Sequence, residues 1–168
     1  KDYWQHYADI PLKRELKAQR AENLQGPVIS IVVPLFNTPA RYFKQMTGSV
    51  LHQTYTNWQL VLVDAGDAAH AEASARAAAL AQKDARIVYR KVENAGIAAN
   101  TTKGFEAATG EYLTLLDHDD VLYPNALYDV VRAIQSTGAD FVYSDEIVLS
   151  DNFKELGGYH FKPDYAPD

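Results

Sequence analysis

The chain has 168 residues, a length typical of one domain that buries its own hydrophobic core. Its net charge of −6, from 22 acidic residues against 16 Lys and Arg, argues against a protein that holds nucleic acid through its overall charge. The absence of cysteine excludes disulfides, thiol catalysis and zinc–thiolate sites. No apolar run approaches membrane-spanning length and no signal peptide is evident, so we expect a cytoplasmic protein, free or peripheral at the inner face of the membrane.

The first 26 residues have the pattern of a helical arm with two apolar stripes. Pro11 is expected to divide the arm into two helices, because proline fits best in a first helical turn. The polar side mixes acids with bases, which favours packing against the chain's own sheet or a neighbouring module over membrane attachment. Gly26 and Pro27 end this segment.

From residue 28 onward, β-favouring runs alternate with helical patterns. The predicted strands cover residues 28–34, 59–64, 85–91, 112–117 and 140–146. The first run is continuous and β-branched, as expected for a central strand covered on both faces. Strands separated by helices predict an α/β fold with a mostly parallel central sheet flanked by helices.

Four helices are predicted between these strands. The second, at 68–82, is mostly alanine and is expected to pack shallowly. Gly110 and Gly138 are expected to end the third and fourth. The inward-facing residues are expected to be Phe43, Met46 and Val50 in the first helix, Ile97, Thr101, Phe105 and Ala108 in the third, and Leu127, Val130, Val131 and Ile134 in the fourth.

The apolar run 112–116 stops at three carboxylates, Asp117, Asp119 and Asp120. We interpret the run as a buried strand whose carboxyl end lies at the ligand edge of an open α/β sheet. In an extended chain Asp117 and Asp119 point the same way and His118 points elsewhere. Two converging carboxylates repel each other, and Mg²⁺ characteristically uses one or two carboxylates together with water and substrate phosphate. This predicts a metal that bridges the protein to a diphosphate.

The alternative for the same stretch is a solvated loop before a helix, with Asp120 or Asn125 as the N-cap. Other predicted strand ends support the ligand site, because most of them also carry carboxylates or amides. The candidate site residues at these strand ends are Pro34, Phe36 and Asn37 after the first strand, Asp64 and Asp67 after the second, Asn94 and Gly96 after the third, and Asp145 and Glu146 after the fifth.

The loop 94–96 leads into a helix whose free N–H groups can hold a phosphate, although a glycine before a helix is also ordinary turn geometry. Phe36 suits either stacking on a base or capping the core. Neither a G-x-G-x-x-G after the first strand nor a Walker sequence is present, which argues against the usual dinucleotide and P-loop sites.

Three segments carry an ordered set of features: ISIVVPLFNTPARYF, SVLHQTYTNWQLVLVDAGD and ENAGIAANTTKGFEAATGEYLTLLDHDDVLYPNAL. The order is a strand, Q-T-Y, an acidic turn, N-x-G, G-E-Y and D-x-D. It resembles the nucleotide-binding half of the family 2 glycosyltransferases, which have the GT-A fold. The tail, YSDE followed by FKPDYAPD, resembles a bacterial branch that builds cell-surface polysaccharides. The resemblance implies an arm at 1–26, a nucleotide-sugar-binding domain at 27–148 and the start of an acceptor-side region at 149–168.

The resemblance also implies residue roles. Asp117 and Asp119 match the D-x-D whose second acid binds Mn²⁺ or Mg²⁺ on the donor diphosphate. Ala65 stands where the family commonly has an acid that reads uracil, with Asp67 as a candidate substitute. Thr101 and Thr102 stand where many members have an Arg-Asn pair near the phosphates, with Lys103 as a nearby charge. The implied donor-site residues are Pro34, Phe36, Asn37, Asp64, Asp67, Asn94, Gly96, Asp117 and His118.

The implied reaction is an inverting transfer of a hexose-type sugar from a UDP- or dTDP-linked donor to a hydroxyl of a glycan or lipid-linked glycan. No catalytic base is assigned, because the family's base lies in the acceptor half. One alternative is a non-catalytic nucleotide-sugar-binding or docking module of a larger enzyme. Another is a haloacid-dehalogenase-type phosphatase with Asp117 as nucleophile, which is disfavoured because that family carries its motif on an early strand.

Overall fold

The structure is a computed structural model that describes residues 13–150 and 155–163. The helices are α1 (Lys13–Glu22), α2 (Ala40–Leu51), α3 (Ala71–Lys83), α4 (Ile97–Ala107) and α5 (Ala126–Thr137), with a short 3-10 turn at Ala68–His70. The strands are β1 (Ile29–Leu35), β2 (Trp58–Asp64), β3 (Ile87–Lys91), β4 (Tyr112–Leu115), β5 (Glu146–Leu149) and β6 (Leu156–His160). The first part of the predicted arm, with Pro11, lies outside the described residues.

Four of the strands form a parallel sheet in the order β3-β2-β1-β4. β1 is central, with Ile31 aligned to Leu60 of β2 on one side and to Thr114 of β4 on the other. The β-branched run of β1 is almost completely buried, as predicted. The α/β architecture with a parallel sheet and flanking helices is confirmed.

The hydrophobic core lies mainly on the face of the sheet that α2, α3 and α5 cover. The inward residues predicted for α2 and α5 are confirmed, since Phe43, Met46, Val50, Leu127, Val131 and Ile134 are buried and Val130 packs at the edge of the core. Only Ala73 and Ala77 are buried in α3, in line with the predicted shallow packing.

The inward face predicted for α4 is wrong at its large residues. Ile97 is 73% exposed and Phe105 is 41% exposed, whereas Asn100 and Gly104 are buried. A Cβ atom at Gly104 would lie 2.3 Å from Cγ1 of Val32. The helix therefore lies so close to β1 that only a small residue fits at the contact.

Gly110 was predicted to end α4. The prediction is wrong, because the helix already ends at Ala107. A Cβ atom at Gly110 would lie 2.5 Å from the carbonyl oxygen of Val28. This glycine is thus required by the close approach of the chain to the start of the sheet, and the helix ends without a glycine cap.

Two predictions about the later strands need correction. β4 lies at an edge of the described sheet, and Leu113 and Leu115 are 51% and 55% exposed, so the strand is half-buried. The predicted strand at 140–146 is wrong: 141–145 are unpaired, and β5 starts at Glu146 and pairs antiparallel with β6 in a separate two-stranded sheet. Strand propensity produces a strand only where a neighbour accepts its backbone hydrogen bonds.

Helix α1 has no buried residue and is attached by polar contacts. Arg20 donates to the carbonyl of His52 at 3.0 Å, and the Thr54 hydroxyl donates to Gln19 at 2.9 Å. The Tyr128 hydroxyl donates to Glu22 at 2.6 Å. This part of the arm packs against the chain's own α/β unit. In the described part of the chain, no helix is long and apolar enough to cross a bilayer.

Candidate functional site

A pocket of about 460 Å³ opens where β1 and β4 end and α4 begins. Its walls come from three loops of the sheet edge on which ligands bind in open α/β folds. The lining residues are Pro34, Leu35, Phe36, Asn94, Gly96, Ile97, Asn100, Asp117, His118 and Asp119. The structure thus brings together seven of the residues selected from the sequence, and adds Leu35, Ile97 and Asn100.

The acidic residues after β4 lie in a turn. The Asp120 amide donates to the Asp117 carbonyl at 3.1 Å, which closes the turn over His118 and Asp119. The predicted extended conformation is therefore wrong. Because the chain turns, His118 lines the same pocket as the two aspartates instead of facing elsewhere.

Of the two residues predicted as N-cap, Asp120 does not occupy the cap position, whereas Asn125 does. Asn125 is the N-cap of α5 by position, but its side chain makes no capping bond and instead donates to Asp129. The amide of Leu127, in the first turn of α5, donates to the side chain of Gln53.

Gln53 supports the chain that follows the acidic turn. This side chain is 4% exposed, donates to the Tyr123 carbonyl at 2.6 Å and accepts from the Leu127 amide at 3.0 Å. The Leu122 amide donates to the hydroxyl of Ser49 at 3.1 Å. The end of α2 therefore braces residues 122–127 from behind. Gln53 is the first residue of the Q-T-Y motif, which is the sequence feature from which this supporting role could have been predicted.

Negative charge accumulates at the acidic turn. Partial desolvation raises the pKa of Asp120, an exposed residue, above its ordinary value, and the charges of Asp119 and Asp117 raise it further. The same charges would favour a cation in the turn.

The donor set of the turn fits an open metal site. Within the described ranges, no three acidic or histidine side chains converge as a metal cluster. Two carboxylates, Asp117 and Asp119, border the pocket. Hard oxygen donors in that number suit Mg²⁺ or Mn²⁺ when water and a phosphate complete the coordination shell.

The loop before α4 is held by its own side chains. Oδ1 of Asn94 accepts from the Gly96 amide at 3.1 Å and from Nδ2 of Asn100 at 3.1 Å, and Oδ1 of Asn100 accepts from the Ala95 amide at 3.2 Å. Gly96 has φ of +90°, a conformation that favours glycine. No side chain caps the helix, because the N-cap residue is this glycine.

Phe36 forms part of the pocket wall and is 50% exposed. It is therefore not a core residue. Its ring is placed where it can contact a ligand in the pocket.

Asp64 lies beside the pocket and is 3% exposed. Its carboxylate accepts from the Tyr89 hydroxyl at 2.7 Å, from Nζ of Lys91 at 3.1 Å and from the Gly66 amide at 2.9 Å. Burial alone would raise its pKa, but hydrogen bonds from Ser74, Tyr89, Gly66 and Lys91 outweigh burial and lower it. Burial, followed by the bond to Asp64, raises the pKa of Tyr89 to about 12. Tyr89 and Lys91 were not among the site residues predicted from the sequence, although their alternate positions on β3 place both side chains on the same face of the sheet.

Asn37 and Asp67, also predicted as donor-site residues, do not line the pocket. Nδ2 of Asn37 donates to Asp67 at 3.2 Å, and the Asp67 amide donates back to Oδ1 of Asn37 at 3.0 Å. The other carboxylate oxygen of Asp67 accepts from the Ala69 amide at 3.0 Å and lies 2.7 Å from Nδ1 of His70. Both oxygens are therefore engaged within the protein.

Comparison with known proteins identifies the family of the chain. Glycosyl transferase family 2 matches residues 30–160 of the chain. Glycosyltransferase GlyG of Streptococcus pneumoniae is 33% identical over 116 residues, which are 68% of this chain and 38% of that protein. O-antigen biosynthesis protein RfbC of Myxococcus xanthus is 32% identical over 145 residues, which are 84% of this chain and 11% of that protein.

Among solved structures, the crystal structure of S. aureus TarS 1-349 in complex with UDP-GlcNAc has the same fold. The TM-score is 0.59 at 18% sequence identity, and the match covers 67% of this chain and 32% of that one. The chain thus spans less than two-fifths of the length of GlyG, RfbC and this TarS chain.

Proposed function

Since the chain belongs to glycosyl transferase family 2, we propose that its pocket binds a nucleotide-sugar donor. The larger reaction proposed is transfer of the sugar to a hydroxyl of a growing glycan or polysaccharide. One observation carries the proposal: a single pocket brings the acidic turn, the uncapped start of α4 and the ring of Phe36 together. These groups suit, respectively, a metal-bound diphosphate, a phosphate and a base.

Asp117 and Asp119 are the residues proposed to hold Mn²⁺ or Mg²⁺. When bound, the cation supplies Lewis-acid stabilisation of the charge that grows on the departing diphosphate. The carboxylates orient the diphosphate against the start of α4, and Pro34, Phe36 and His118 border the base, ribose or sugar. Asn94 and Gly96 belong to the wall that faces the phosphates, and Asn37, Asp64 and Asp67 shape the adjoining loops.

An inverting transfer needs a base that takes the proton of the acceptor hydroxyl. Asp145 and Glu146 are not assigned this role, because both are engaged with Lys162. The amide of Lys162 donates to Asp145 at 2.8 Å, and its Nζ lies 2.7 Å from the carboxylate of Glu146. The lysine lowers the pKa of Glu146, which weakens it as a base.

The nucleotide is proposed to be UDP or dTDP. The TarS structure contains UDP-GlcNAc, which supports a uridine donor in this fold. Ala65 supplies no carboxylate to the base, and both oxygens of Asp67 are engaged. Base recognition is therefore assigned mainly to contact with Phe36.

We place residues 27–148 as the donor-binding unit, 1–26 as an arm and 149–168 as the start of the acceptor side. A cytoplasmic location, with the protein free or peripheral at the membrane, follows from the proposed use of a nucleotide-linked donor for a cell-surface glycan. The relationship to RfbC, an O-antigen biosynthesis protein, supports such a glycan.

Calorimetry with UDP, dTDP and GDP, with and without Mn²⁺, tests the donor site. We expect binding that Mn²⁺ strengthens, and a roughly tenfold or larger loss of affinity in Asp119→Ala. Asp140→Ala is the matched control, because Asp140 is exposed and lies outside the pocket lining. Affinity that is equal with and without metal would remove the metal role. No binding to any nucleotide would favour a docking module, and monoester hydrolysis abolished in Asp117→Asn would favour a phosphatase.

A further inference from the structure

Asn100 is a polar residue on the buried face of α4. Its exposed fraction is 4%, yet it contributes to the wall of the pocket. A buried carboxamide is costly unless hydrogen bonds satisfy it, so its partners indicate what the side chain is for.

The partners of Asn100 are all in the loop before α4. Its Oδ1 accepts from the Ala95 amide at 3.2 Å, and its Nδ2 donates to Oδ1 of Asn94 at 3.1 Å. That same Asn94 oxygen accepts from the Gly96 amide at 3.1 Å. The side chain of Asn100 thus joins the helix to two adjacent loop residues, Asn94 and Ala95, and through Asn94 to the Gly96 amide.

This arrangement decides which backbone amides can meet an anion. The amides of Ala95 and Gly96 are occupied by side-chain oxygens. The first helical hydrogen bond of α4 runs from the Asn100 amide to the Gly96 carbonyl at 3.0 Å. The amides of 97–99 precede that bond, so they are the ones that the helix leaves for a ligand.

We propose that Asn100 is a positioning residue for the donor diphosphate. It locks the loop so that a phosphate meets the amides of 97–99 and not those of Ala95 and Gly96. The proposal rests on the proposed function of the pocket as a donor site. A side-chain carboxamide is required at position 100, because a carboxylate there would face Oδ1 of Asn94 and place a negative charge beside the phosphates.

Amide chemical shifts measured by NMR during titration with UDP and Mn²⁺ locate the contact. In the unsubstituted chain, we expect the largest shifts at 97–99 and small shifts at Ala95 and Gly96. Largest shifts at Ala95 and Gly96 would overturn the proposal, because those amides would then be the ones that bind the phosphate.

Two variants test the role of the side chain, and each is checked for folding by urea unfolding. Asn100→Ala removes both loop bonds, and we expect UDP affinity to fall about tenfold. Asn100→Asp keeps the size of the side chain, and we expect a larger loss at neutral pH because of the added charge. Glu106→Gln is the control on the same helix, since Glu106 is exposed and lies outside the pocket lining. We expect this control to retain the original affinity.

Hydrogen exchange separates the two proposals. In Asn100→Ala, we expect faster exchange at the Ala95 and Gly96 amides, whether or not nucleotide binds. If the unsubstituted chain binds UDP and Asn100→Ala binds it equally well, the positioning role is overturned and the donor site stands. If the unsubstituted chain binds no nucleotide, the donor site itself fails and the positioning role fails with it.

Discussion

Asp64 and the acidic turn after β4 belong to the same edge of one sheet, yet they are built in opposite ways. Asp64 is 3% exposed, and the protein surrounds it with Tyr89, Lys91 and the Gly66 amide. Asp117 and Asp119 are exposed and border an open pocket. A carboxylate whose oxygens the protein already satisfies is part of the framework, whereas exposed carboxylates in a pocket remain available to a ligand.

The pKa shifts of the two regions have opposite directions: the pKa of Asp64 is lowered, and the pKa of Asp120 in the acidic turn is raised. The hydrogen bonds that lower the pKa of Asp64 stabilise the fold above the ordinary aspartate pKa, and this contribution is lost as pH falls through the lowered value. Partial desolvation and neighbouring acids raise the pKa of Asp120. Stability therefore decreases as pH rises from the ordinary pKa of 3.8 through the raised value, because the folded chain must release a proton that it holds more tightly.

The largest effect is expected from Asp64→Ala. The substitution leaves the Tyr89 hydroxyl and the Gly66 amide without their buried acceptor. We expect the free energy of unfolding to fall by about 3 kcal/mol, measured by urea denaturation at neutral pH. Asp67→Ala is the control, because Asp67 is exposed, and its effect should be much smaller. Equal losses in the two variants would contradict the assignment of Asp64 to the framework.

A smaller effect is expected from Gln53→Ala, which removes the brace behind the acidic turn. Loss of the bonds to Tyr123 and Leu127 should lower the free energy of unfolding by about 2 kcal/mol. Mn²⁺-dependent binding of UDP should weaken as well, because the turn loses its support. Gln82→Ala, on the exposed side of α3, is the control for both measurements. A destabilised variant with full metal-dependent affinity would show that the turn keeps its shape without Gln53.

The smallest effect is expected from Asp120→Asn. Removing one of the crowded charges should make the chain slightly more stable at neutral pH and leave stability unchanged below pH 3.8, the ordinary pKa. Urea unfolding at several pH values measures both. A loss of stability at every pH would show that the Asp120 carboxylate is a framework group like that of Asp64.

The sequence predicted the central sheet well, because a strand buried on both faces has an unambiguous composition. The β-branched run predicted at 28–34 and the apolar run predicted at 59–64 both form central strands of the sheet, Ile29–Leu35 and Trp58–Asp64. The pocket was located for a related reason: parallel strands bring their carboxyl ends to one edge, so polar residues distant in sequence converge there.

The errors occurred where packing or hydrogen bonding overrode residue type. Apolar periodicity selected Ile97 and Phe105 in α4, but the close contact with the sheet admits only small side chains such as Gly104. Alternation predicted that His118 would face away from its neighbours, but a backbone hydrogen bond closes a turn there. Residues 140–146 have strand propensity, but the described sheet offers them no pairing.

Gly104 has a consequence for the pocket that it does not touch. The missing side chain lets α4 rest directly on Val32 and Val63 near one end of the helix. Gly96 stands at the other end, eight residues and about 12 Å away along the helix axis. A larger residue at Gly104 would tilt α4 about this contact and move the free amides at its start. The position of the first turn of α4 in the pocket therefore depends on how closely the other end of the helix packs against the sheet at Gly104.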